Sequence, residues 1–158
     1  MLKHDARFMG LAIAKAREGM ALGQSPFGAC IVRGEEVIAC THNAVLATHD
    51  ATAHAEVRAI REASAVLGTF DLSGCAMFTT CEPCPMCFTA SHWARLDRII
   101  YGAMIADAEA AGFRELTISA EEMKIRGGSP VGLTPNVLRA ACVALFHDWA
   151  AGQTPIAY

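Results

Sequence analysis

Cys84 and Cys87 stand three apart in the run Thr80-Cys81-Glu82-Pro83-Cys84-Pro85-Met86-Cys87, the spacing that lets two thiolates reach one metal ion from the first turn of a helix. His54, in His54-Ala55-Glu56, lies 30 residues before Cys84 and offers a nitrogen. Three protein ligands of this kind suit Zn2+ and leave one tetrahedral position open, where bound water has its pKa lowered from 15.7 to roughly 7. Glu56 is not needed as a fourth ligand, so it is free to move protons. Cys81 as a fourth ligand would close the site to water, and that reading is set aside. A bare Cys-x-x-Cys also serves structural zinc sites and thiol redox pairs; the added histidine, glutamate and proline favour a catalytic centre.

These residues need helix starts and a strand to hold them. Residues 5–21 place Phe8, Met9, Leu11, Ala12, Ile13 and Ala16 at helical spacing, and Gly23 to Gly28 then break the helix. Two β-prone runs, 29–32 and 36–40, around Arg33-Gly34-Glu35 predict a hairpin. The polar stretch 41–50 reads as a loop carrying Asn43. Thr52 is the expected N-cap of a helix over 53–67 that Gly68 closes, with His54 and Glu56 in its first turn. In mid-helix, positions two apart diverge by about 200° and would not share a site. Residues 75–79 predict a buried strand, the helix from Cys84 runs through Trp93 and Ala94, and 98–102 is a further strand paired in parallel. Residues 106–115 are expected to be partly helical, 127–130 and 132–135 to be irregular loops, and Asn136 to cap a last helix over 137–149.

The 158 residues are expected to form a single domain, 1–158, of an α/β class with helices covering a sheet. A net charge of -3 argues against a broad phosphate-binding surface, so a small substrate is favoured and nucleic acid disfavoured. With 53% hydrophobic and 18% charged residues, apolar surface is expected to be covered by a second copy. The N-terminus has charges where a signal peptide needs an apolar core, and there is no long apolar run, so a cytoplasmic protein with no membrane span is expected. Cys30, Cys40, Cys75 and Cys142 read as reduced, buried thiols.

His-x-Glu followed by Pro-Cys-x-x-Cys is the signature of zinc-dependent nucleobase deaminases. With Thr52 to Val57, Trp93-Ala94-Arg95 and Ala111-Gly112-Phe113, nearly the whole chain resembles the bacterial guanine deaminases of the cytidine deaminase superfamily. The resemblance implies a three-layer α/β/α domain around a central mixed sheet, one zinc per subunit and a homodimer with an exchanged C-terminal segment. It implies His54, Cys84 and Cys87 as zinc ligands and Glu56 as the proton shuttle. Asn43 then contacts the purine base, Phe27 and Trp93 flank its ring, and Tyr158 closes the pocket. Glu115 stands where the family carries an acidic residue that reads the base, though the closest pattern has aspartate, and Ala51 stands where most relatives have proline. Guanine would become xanthine with release of ammonia. Competing readings are a tRNA adenosine deaminase, a deaminase of another aminopurine, a triazine or cytosine, and a non-catalytic zinc-stabilised binding module, which would have no use for Glu56. His42, His49 and His92, although near the motifs, read as structural.

Overall fold

In the computed structural model, which describes residues 3–152 and 156–157, the sheet has strand order β2-β1-β3-β4-β5. β1 (Gly28–Arg33) and β2 (Glu36–His42) form the expected hairpin, and β1 also pairs antiparallel with β3 (Cys75–Cys81). β3, β4 (Arg98–Ala103) and β5 (Gly132–Thr134) run parallel, so the sheet is mixed.

Strand side chains alternate between faces, and the two cores follow that alternation. Ala29 and Ile31 of β1, Met77 of β3, and Ile99 and Tyr101 of β4 share one core with Ala55, Ala59 and Ala63 of α3 (Ala55–Leu67) and Phe88 of α4 (Pro85–Trp93). α6 (Ala120–Gly127) adds Ala120 to the same side. Cys30, Val32, Phe78 and Ile100 point the other way, toward Phe8, Met9 and Ala12 of α1 (Lys3–Ala21). That second layer also holds Ala108 of α5 (Ile105–Ala110) and Cys142 and Phe146 of α7 (Arg139–Ala150). The result is the expected three-layer α/β/α arrangement. Every residue of β3 is buried, as befits a central strand covered on both faces. Gly28 is required where α1 crosses β1, because a Cβ there would lie 2.1 Å from the Ala12 carbonyl oxygen.

Several boundaries differ from expectation. α3 begins at Ala55 with His54 as N-cap, two residues later than Thr52 predicts. The reason is local: Asp50 Oδ1 accepts from both the Thr52 hydroxyl (2.7 Å) and its N–H (2.8 Å), so Thr52 closes a turn instead of capping a helix. The polar loop contains a short helix, α2 (Val45–Thr48). β5 lies in 132–135, expected to be an irregular loop, α6 occupies residues for which almost no element was expected, and α7 starts at Arg139 because Leu138 before it is left-handed at φ 50°, a conformation outside the helix. Cys30 and Cys40, expected as separate thiols, sit opposite each other in the β1–β2 register and are joined as a disulfide. Cys75 and Cys142 are buried free thiols as expected. Among the described residues no helix is long and apolar enough to cross a membrane.

Candidate metal centre and base pocket

Two helix N-termini meet at the C-terminal end of β3, where ligands gather in sheets of this type. His54, at the N-cap of α3, is extended at φ -63° and ψ 151°. Cys84 is the N-cap of α4, with Pro85 at the first helical position, where the missing N–H costs nothing, and Cys87 follows within the first turn. His54 Nδ1 lies 3.6 Å from Cys84 Sγ and 3.5 Å from Cys87 Sγ. Tetrahedral zinc, with Zn–S of about 2.3 Å and Zn–N of about 2.0–2.1 Å, requires an N···S separation of about 3.5–3.6 Å. The three atoms therefore fit one zinc ion, and among the described residues these three form the group disposed to hold a metal.

The electrostatics agree. The Cys84 thiol is pushed down to about 4, first by its hydrogen bond with Cys87 and then by His54. Cys87 is driven up, first because its neighbour Cys84 takes the charge and then by burial. Burial alone would lower the His54 imidazole, but Cys84 and the Glu56 and Glu115 carboxylates overcome it and hold it above its ordinary value. A buried cluster with this surplus of negative charge suits a divalent cation, and helix N-termini favour the thiolates further. Cys81, by contrast, is driven well up by burial and donates to the Met104 carbonyl oxygen at 3.5 Å, so it stays a thiol.

Glu56 is buried on the first turn of α3, and its Oε1 accepts from the Thr79 hydroxyl at 3.2 Å. Burial raises its carboxyl above the ordinary range, the direction that suits a group taking and returning a proton near neutrality. A cavity of ≈ 140 Å³ opens beside it, lined by Phe27, Asn43, His54, Glu56, Cys84 and Glu115 among others. Asn43 is 1% exposed, and its Oδ1 accepts from Val45 N–H at 3.0 Å, which fixes the amide's orientation. Phe27 packs edge-on against Phe113 at 4.9 Å between ring centroids, giving the cavity an aromatic wall. Glu115 is pushed up to about 7 by burial and then by the negative charge of Cys84.

Trp93 does not join this pocket. It ends α4, eight residues and about 12 Å along the axis from Pro85, and it is 72% exposed in a separate groove with Phe70. Within this chain, contrary to the expectation, Trp93 is therefore not among the residues lining the cavity, whereas Phe27 and Phe113 are. Tyr158 lies outside the described residues. Of the unassigned histidines, His92 pairs with Ser129 Oγ at 2.9 Å and His42 with the Asn43 carbonyl at 2.6 Å, both structural roles. Sequence reasoning missed Glu82, Phe113 and Arg114 as lining residues. The acidic residue between Cys81 and Pro83, inside the ligand loop, was the available signal for Glu82.

Comparison with known proteins agrees with this geometry. The family model for the cytidine and deoxycytidylate deaminase zinc-binding region matches residues 2–103. A guanine deaminase of Bacillus subtilis is 45% identical over 131 residues, covering 78% of this chain and 83% of that protein. A tRNA-specific adenosine deaminase of Aquifex aeolicus is 40% identical over 97 residues, covering 61% of this chain and 64% of that protein. Among solved structures, a guanine deaminase from Nitrosomonas europaea is 30% identical with a TM-score of 0.85, covering 93% of this chain and 85% of that one. A structure in complex with 2,6-diaminopurine is also 30% identical, with a TM-score of 0.88, and covers 100% and 87%. With a catalytic-type zinc cluster, a buried glutamate beside it and a family match over most of its length, the chain belongs to the cytidine and deoxycytidylate deaminase zinc-binding family.

Proposed function

We propose that the protein is a single-domain guanine deaminase, converting guanine and water to xanthine and ammonia. One observation carries this reading: Glu115 faces the same small cavity as Glu56 and the three-ligand cluster, with Asn43 on the wall. Guanine presents two adjacent N–H donors beside the carbon that bears its amine, and a carboxylate is the side chain that accepts both. The cavity is well below the about 300–1,000 Å³ of pockets for drug-sized ligands, so it suits a base without its sugar. The likeness to proteins named guanine deaminase supports the same choice.

His54, Cys84 and Cys87 would hold the zinc, which when bound lowers the pKa of a water to roughly 7. Glu56 takes the proton of the attacking water and delivers it to the ring nitrogen beside the amine-bearing carbon. A second proton passes through Glu56 to the amine as the C–N bond breaks, so ammonia leaves and the carbonyl forms. Thr79 holds Glu56 Oε1 throughout, Phe27 and Phe113 together form one aromatic wall against the ring, and Asn43 anchors its far edge. A homodimer with an exchanged C-terminal segment belongs to the same reading, supported by the apolar composition and by exposed Trp93 and Phe70; sedimentation of a monomer would remove it.

Ammonia release from guanine, guanosine, adenine, cytosine, ammeline and tRNA, measured with zinc-replete protein, tests the assignment. Guanine should be turned over, and Glu56→Gln should lose about 10²–10⁴ in kcat with zinc retained. Turnover of tRNA alone would replace this substrate by the tRNA adenosine of the rival reading. A Glu56→Gln protein as active as the parent would leave only a zinc-stabilised binding module.

A further inference from the structure

Glu82 is 5% exposed and stands two residues before Cys84, with its own N–H fixed to the Ala103 carbonyl at 2.8 Å. Its two carboxylate oxygens go to two different places. Oε2 accepts from Ile105 N–H at 3.1 Å, the first residue of α5, and Oε1 accepts from Ala120 N–H at 2.9 Å, the first residue of α6. Between those two points the chain makes an excursion that brings Phe113, Arg114 and Glu115 to the cavity. Its middle, 111–119, has no helix or strand, and its backbone hydrogen bonds are local ones such as Glu115 N–H to Phe113 C=O and Ile118 N–H to Leu116 C=O. One buried carboxylate therefore ties both ends of the substrate-reading segment to the loop that supplies the metal ligands.

We propose that Glu82 is a positioning residue that sets the separation between the three-ligand centre and Glu115, and so determines how tightly the base is held. The inference rests on the proposed reading of Glu115 as the group that binds guanine. Two backbone N–H groups aimed at one side chain need two acceptors. A glutamine keeps the shape but offers one acceptor and one N–H₂ donor, so one of the two ties must break. Freed at one end, the segment samples positions in which Glu115 no longer meets the base. Affinity falls in proportion to the fraction of molecules that keep the competent arrangement.

Glu82→Gln should raise KM for guanine roughly tenfold to a hundredfold, with a smaller change in kcat and full zinc occupancy. Because Glu82 acts through Glu115, the two effects should not multiply: Glu115→Gln should cost far less in a Glu82→Gln background than in the parent. Multiplying effects, or an unchanged KM, would overturn the proposal. Ala120→Pro provides the same test with Glu82 intact, should Glu82→Gln fold poorly. It deletes one donor at a first helical position that accepts proline, after Ser119, whose ψ of 153° is already what a residue before proline requires. Amide exchange over 111–119 should rise in either variant while exchange over 84–93 stays at the parent level. Unchanged exchange over 111–119 would sink the clamp whatever the substrate, whereas a parent protein that ignores guanine, with variants that still show the exchange rise, would sink only the proposed function.

Discussion

Glu115→Gln removes a charge and an acceptor while keeping the side chain's length, and its consequence depends on pH. Burial, helped by the negative charge of Cys84, holds the Glu115 carboxyl at about 7 in place of the ordinary 4.5. Only the ionised form accepts two N–H bonds at once. For a raised carboxyl the ionised form exists above the pKa and is lost as pH falls through it. Each unit below the pKa leaves about a tenth as much competent enzyme, so KM should rise about tenfold per unit. A bound dication favours the carboxylate, so the rise in the zinc enzyme should begin below 7 and above 4.5. Charge-assisted hydrogen bonds contribute about 1.5–3 kcal/mol, so Glu115→Gln should raise KM at pH near 8 by roughly tenfold to a hundredfold. Its KM should then be flat as pH falls, while kcat keeps an acid limb from Glu56, whose carboxyl is also raised by burial. Initial rates of ammonia release over a pH series, fitted separately for kcat and KM, make the measurement. A KM in Glu115→Gln within about twofold of the parent, or one that still climbs in acid, would refute the role given to this carboxylate.

Cys87→Ser should lose zinc as well as turnover, since a hydroxyl does not supply the thiolate the cluster requires; elemental analysis showing one zinc per chain would contradict it. Thr79→Val removes the hydroxyl that donates to Glu56 Oε1, a bond of about 0.5–1.5 kcal/mol, so kcat should fall roughly threefold to tenfold with KM little changed, read by steady-state kinetics. Gly28→Ala places a Cβ 2.1 Å from the Ala12 carbonyl oxygen and should cost at least about 1–3 kcal/mol, measured by denaturant unfolding; an unaltered midpoint would mean that α1 shifts freely.

The elements around the metal were legible because their signals are local. Pro85 after Cys84, Gly68 after Leu67 and the apolar spacing of 8–16 each mark a helix boundary or face that the structure reproduces. α6 was missed even though Ser119 and Glu122 stand at capping-box spacing, with Ser119 Oγ accepting from Glu122 N–H at 3.1 Å. Its eight residues hold only Ala120, Met123 and Ile125 as apolar positions, too few to display a helical period. The late start of α3 turned on whether the Thr52 hydroxyl caps a helix or closes the Asp50 turn, two uses of one hydroxyl that propensity does not separate.

By itself the sequence pointed to the three residues that could hold a metal and to Glu56 beside them, because His54, Glu56, Cys84 and Cys87 owe their chemistry to residue type and to spacing within single turns of helix. Only the tertiary structure decided which residues line the cavity beside them. Phe113 and Glu115 reach the cavity, and Trp93 leaves it, according to how distant segments pack on the sheet and where Glu82 ties them. Such contacts span tens of residues, and their geometry is set by burial and by the pairing of buried polar groups, which no short stretch of sequence encodes.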